Sequence, residues 1–205
     1  MKRTLIASAL FAGTMLSAGG LDAQVSKNSG FLLNLHVAGN SIETTLEDME
    51  SERETGGGLG LGLGYGFGET FALVINLDAA SVSSDDDDAD EDAEDLALAH
   101  FDIGGRLNFG STASALRPYV NAAFSGVAEG TTSEDADENV TISGAGFTLG
   151  GGLQYFFSPR FALDAGLQGS FGKFNQIQLG DESSEIDEDV KFTTARLQLG
   201  VTFHP

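Results

Sequence analysis

The sequence predicts an all-β chain, an eight-stranded antiparallel up-and-down barrel that crosses a membrane. Three observations lead there. Apolar and polar side chains alternate by parity through eight stretches, as strand geometry requires. The connections between those stretches alternate short and long. Charge is almost absent from the apolar parity of every stretch and collects in the long connections.

The last stretch, residues 190–203, shows the pattern most cleanly. Ala195, Leu197, Leu199, Val201 and Phe203 share one face; Thr194, Arg196, Gln198, Gly200 and Thr202 share the other. In the first stretch, 31–40, Phe31, Leu33, Leu35 and Val37 oppose Asn34, His36 and Asn40. The connection 41–55 carries six acids and reads as a long loop. Stretch 56–68 alternates Leu59, Leu61, Leu63, Tyr65 and Phe67 with glycine. A phosphate-binding glycine loop needs a following helix N-terminus and a Lys or a later acidic partner, neither of which is present. The stretch is instead a strand whose inner face is bare, leaving room for long side chains such as Arg106 or Arg196.

Gly68, Glu69 and Thr70 form a tight turn into a third strand, with Phe71, Leu73, Ile75 and Leu77 outward and Asn76 and Asp78 inward. Residues 85–95 are a nearly unbroken acidic run, which reads as a solvated loop. The fourth strand, 97–109, sets Phe101, Ile103, Leu107 and Phe109 against His100, Asp102, Arg106 and Asn108. A turn at 110–117 leads to a fifth strand, 119–128, with Asn121, Ser125 and then Glu129 opposite the apolar parity. A third acidic loop holds Glu134, Asp135, Asp137 and Glu138. The sixth strand, 144–157, turns at Ser158, Pro159 and Arg160 into a seventh, which starts at Phe161 and carries Asp164, Gln168 and Ser170 inward. A fourth acidic loop is expected over 181–189.

Composition narrows the class. The 205 residues include no Cys, so no disulfide or thiolate–metal site forms. The net charge of −21 argues against nucleic-acid partners, which need a basic surface. Mean hydropathy near zero is too low for a helical membrane protein and fits a barrel, where every second strand residue meets lipid. Lys2, Arg3 and the apolar run 4–18 read as a secretory signal cut after Ala23. The expected organisation is a signal peptide over 1–23 and a barrel domain over 24–205.

Short alternating strands also build soluble barrels. The polar face decides between the two, because it carries Gly, Asn, Gln, Ser and Thr rather than Lys and Glu, and so suits a narrow hydrogen-bonded interior. Aromatics gather at the tight-turn ends as an interfacial girdle: Phe31, Phe67, Phe71, Phe109, Tyr119, Tyr155, Phe157, Phe161 and Phe203.

With these strands, turns and a terminal stretch Leu197-Gln198-Leu199-Gly200-Val201-Thr202-Phe203, the chain resembles the small bacterial outer-membrane barrels of the OmpX and OmpA-barrel type. The resemblance covers the whole mature chain. It implies an outer-membrane location with periplasmic termini and extracellular long loops, and a final aromatic, here Phe203, recognised by the barrel-assembly machinery. The family usually ends on that aromatic, whereas this chain adds His204 and Pro205. The expected partners are outer-membrane lipid and that machinery, with weak divalent cations at the acidic loops; the barrel is expected to be a monomer without a cofactor.

The inward charges form the candidate site. Counted from the tight turns, Asp78, Asp102 and Arg196 reach similar mid-membrane depth, while Arg106 and Asp164 lie nearer the turns. Charges in a low-dielectric lumen must pair. Arg196 is therefore expected to pair with Asp102 or Asp78, and Arg106 with Asp164. An eight-stranded barrel is just wide enough for such side chains to fill it. His100 and Asp102 share a face two residues apart and could orient a general base, but they point away from lipid, and no catalytic residues are assigned. The acidic loops lack the spaced Asp-x-Asp-x-Asp-Gly pattern of a tight calcium site, and no metal ligands are assigned. Three functions remain open at this point: a surface-interaction or structural barrel with a plugged polar lumen, a small-solute channel, and a lipid A-modifying enzyme.

Overall fold

The computed structural model describes residues 28–45, 52–84, 96–131, 140–180 and 182–205. The signal peptide assigned to 1–23 and the acidic runs at 85–95 and 134–138 lie outside these. Eight strands run in chain order: β1 (Gly30–Thr45), β2 (Glu52–Gly66), β3 (Phe71–Ser84), β4 (Leu96–Asn108), β5 (Leu116–Thr131), β6 (Val140–Ser158), β7 (Phe161–Leu179) and β8 (Glu182–Phe203). Each pairs antiparallel with the next, and β8 closes onto β1 from Leu33↔Phe203 to Thr45↔Lys191. Closure leaves no sheet edge in lipid and satisfies the backbone along the wall.

Parity assigns the faces. Large apolar side chains on the outer face form one belt, at 31–37 of β1, 59–65 of β2, 71–77 of β3, 101–107 of β4, 116–124 of β5, 147–157 of β6, 161–171 of β7 and 197–203 of β8. These are the membrane-spanning segments. At the short-turn end, rings pack edge to face or stacked, as in Phe31–Tyr65 at 5.1 Å and Phe157–Phe161 at 6.1 Å. Gly68, at φ 105°, makes the β2–β3 turn possible. Arg117 ties the short turns together: its Nε donates to the Phe109 carbonyl at 3.0 Å and its Nη2 to that of Glu69 at 2.9 Å.

The strands run further than the belt, and here the structure corrects the expected loops. Residues 41–45 and 52–55 continue β1 and β2, in register from Ser41↔Thr55 to Thr44↔Glu52. The expected fourth acidic loop is mostly strand: Glu182–Asp189 belongs to β8, and beyond a register shift at Phe174/Gln176 its residues Glu182–Glu185 pair with β7, from Gln176↔Glu185 to Leu179↔Glu182. Backbone pairing with β7 outweighs the like-charge repulsion, which solvent screens. Lys173 Nζ donates to Asp189 at 2.7 Å, and Gln176 Nε2 to Ser183 at 2.8 Å. Beside that ammonium the exposed Asp189 carboxyl sits below its ordinary value, Lys173 being the main cause.

Two further expectations change. Tyr119 is not part of the girdle: it has inward parity and is buried against the lumen charges. The interior is also not polar throughout. Near the short turns, Leu32, Ala72 and Val74 form a small apolar group. At the far end, Ile42, Val82, Leu98, Val127, Phe174, Val190 and Phe192 close into an apolar layer. The polar layer lies between the two.

Candidate functional site in the barrel lumen

The centre of the polar layer is Arg196. Strand alternation turns it inward between lipid-facing Ala195 and Leu197, and its side chain is fully buried. Its Nη1 donates to Asp78 Oδ2 at 3.0 Å and its Nη2 to Asp102 Oδ2 at 2.7 Å. The neighbours of β8 in the sheet are β7 and β1, so both contacts cross the lumen to β3 and β4. Nη2 also lies 3.3 Å from Thr148 Oγ1 and 3.2 Å from Ser170 Oγ, on β6 and β7.

The carboxylates are themselves held. Asp102 Oδ1 accepts from Ser125 Oγ at 2.5 Å and Thr148 Oγ1 at 2.9 Å. Asp78 Oδ1 meets His36 Nε2 at 2.6 Å and Gln198 Nε2 at 3.2 Å. His36 Nδ1 lies 2.7 Å from Asn34 Oδ1, and Asn34 Nδ2 donates to Thr202 Oγ1 at 2.9 Å. The bare face of β2 serves this cluster: a Cβ at Gly60 would run into the His36 ring and the Asp78 carboxylate. The space left by glycine is thus filled by the groups that flank Arg196, not by Arg106 or Arg196.

A second cluster sits toward the short turns. Arg106 Nη1 is 3.6 Å from Asp164 Oδ2, an ion pair longer than a hydrogen bond. Its guanidinium lies 4.1 Å above the Tyr119 ring centroid, a cation–π contact. The hydrogen bonds to Asp164 come from Tyr119 Oη at 2.7 Å, Gln154 Nε2 at 2.9 Å and Thr202 Oγ1 at 3.3 Å.

His100 and Asp102 do not form an oriented base. His100 Nε2 faces Thr194 Oγ1 at 3.3 Å, while Arg196, Ser125 and Thr148 occupy the Asp102 carboxylate. Among the described residues, no three His, Cys, Asp or Glu side chains converge as a metal site would require. His36, Tyr119, Thr148, Ser170 and Gln198 join the clusters without having been singled out from sequence. Inward parity was the available signal for each.

A family model of the outer membrane protein beta-barrel domain matches residues 8–203. Among solved structures, the chain is similar to neisserial surface protein A, at 16% identity and TM-score 0.59, over 85% of this chain and 97% of that one. It is similar to AlkL, an outer membrane protein solved in lipid bilayers, at 12% identity and TM-score 0.59, over 92% and 96%. It is also similar to OprG from Pseudomonas aeruginosa, at 13% identity and TM-score 0.55, over 89% and 100%. No curated protein matches by sequence. At these identities the structural likeness concerns the fold.

Proposed function

Because the chain belongs to the outer membrane protein beta-barrel family, we propose that it is a non-catalytic surface barrel whose lumen is plugged by its own side chains and whose acidic connections face the exterior. The single observation that carries the plug is the fully buried Arg196, bonded to carboxylates of β3 and β4 on the far wall. Water-filled pores line themselves with solvated charge, whereas here both terminal nitrogens of the central cation donate to protein oxygens. The apolar layer on one side of it adds a second barrier to ions.

The short connections lie at the end of the barrel that holds Phe203 and the start of β1, so the first strand begins and the last strand ends on one side. In the proposed orientation that side is periplasmic and Phe203 is presented to the assembly machinery. The acid-rich positions 41–55, 85–95, 134–138 and 181–189 then face outward, where they repel anionic ligands and condense divalent cations weakly.

Two measurements test this reading. The purified protein in planar bilayers at neutral pH should show no steady conductance; a large constant one would favour a small-solute channel. On intact cells a Glu-specific protease should cut between residues 85 and 95. Protection there, with cleavage at Arg160 by an Arg-specific protease, would reverse the orientation.

A further inference from the structure

Two acids on the inner face lie outside the membrane-spanning belt. Glu54 precedes Leu59 of β2 by five residues, and Glu129 follows Phe124 of β5 by five. Neither strand neighbours the other in the barrel, yet the Glu129 carboxyl hydrogen-bonds that of Glu54 across the lumen. Glu129 is 8% exposed, and the second oxygen of each carboxyl, Oε2, is buried without a hydrogen-bond partner. The pair sits on the apolar layer: Glu54 is opposite Ile42, and Glu129 is opposite Leu98 and Ile142.

Ionised carboxylates only accept hydrogen bonds. A carboxyl–carboxyl hydrogen bond therefore contains a proton, and two bare carboxylates this close and this buried repel strongly. We propose that Glu54 and Glu129 form a proton-operated latch at the loop end of the lumen. With one proton shared, the carboxyls join β2 to β5 over the apolar layer. When the proton leaves to water, the two negative charges separate and the layer loosens.

Burial, the hydrogen bond to Glu54 and the charge of Glu54 together push the Glu129 carboxyl up to about 8. A carboxyl raised on folding contributes stability that is fully present below its ordinary value and is lost as pH rises through the raised one. The latch is thus shut in mild acid and released between neutral and about pH 9. Among the described residues on the inner faces of the surrounding strands, the next charged or titratable groups are Asp78 on β3, His100 on β4 and Arg196 on β8, all in the polar layer. β1, β6 and β7 present Ile42, Ile142 and Phe174 to the pair.

This inference rests on the closed-barrel reading, and the test separates them. The full chain in lipid nanodiscs is followed by amide hydrogen exchange, expressed as protection factors, at pH 5 and pH 9. Protection at Ile42, Leu98 and Val127 should fall about tenfold or more at pH 9, as local opening would require. In Glu129→Gln, whose amide donates to Glu54 without a titrating proton, it should not change. Constant protection in the parent, or an equal fall in the variant, overturns the latch. A steady conductance already present at pH 5 overturns the closed barrel instead. Should the variant misfold, the carboxyl carbon shift of Glu129 in the parent decides: a step near pH 8 supports the latch, and one at the ordinary carboxylate value overturns it.

Discussion

Arg196 on β8 donates to Asp102 on β4 at 2.7 Å, straight across the lumen, and reaches Asp78 on β3 with its other terminal nitrogen at 3.0 Å. One cation thereby serves two carboxylates drawn from the opposite wall. Removing a partner from a buried ion pair leaves a charge without compensation, which is why such pairs are costly to break and cheap to replace as a whole.

The arrangement sets a mutational cycle. Arg196→Met strands two carboxylates and should cost about 3–5 kcal/mol. Arg196→Met with Asp102→Leu recovers part of that, and adding Asp78→Leu recovers more. Urea unfolding in vesicles measures each step. If the losses in the double variant simply add, the residues do not interact.

Gly60 gives a test of packing on the bare strand. The Cβ of Gly60→Ala meets the His36 ring and Asp78 on one side of the Arg196 cluster, and overpacking of this kind costs about 1–3 kcal/mol. Gly39→Ala, on the outer face with nothing within 4 Å of the new Cβ, should leave stability unchanged. Unfolding midpoints of the two variants provide the comparison. Equal midpoints would mean that the cluster tolerates a shift of the His36 ring.

Phe203 separates assembly from stability. Its ring lies 4.8 Å from that of Phe161 at the outer edge of the barrel, so Phe203→Ala costs little packing. In cells, Phe203→Ala should lower the amount of folded barrel several-fold more than it lowers refolding yield in vesicles, and Phe203→Tyr should restore it. The assay is the heat-modifiable shift of the folded band on gels. Equal losses in both settings would assign Phe203 a packing role only.

The amino-acid sequence by itself determined the wall. Side-chain parity is a local property, so alternation alone placed Arg196, Asp78, Asp102, Arg106 and Asp164 inward and the belt outward, and the Leu/Gly alternation made β2 a strand rather than a phosphate loop. Tertiary structure decided who meets whom. Contacts across the lumen depend on how far the strands are staggered when the barrel closes, and no local pattern encodes that stagger. It decided that Arg196 touches both aspartates, that His36 fills the space over Gly60, and that Tyr119 joins Arg106 and Asp164 instead of the interfacial girdle. It also decided where strands end. The acidic residues 182–189 look like loop when read alone, because like charges repel, yet beyond a register shift at Phe174/Gln176 β7 supplies backbone partners to Glu182–Glu185. The apolar layer arose in the same way: Ile42, Val82, Phe174 and Phe192 are far apart in the chain, and closure of the barrel brings their inward faces together.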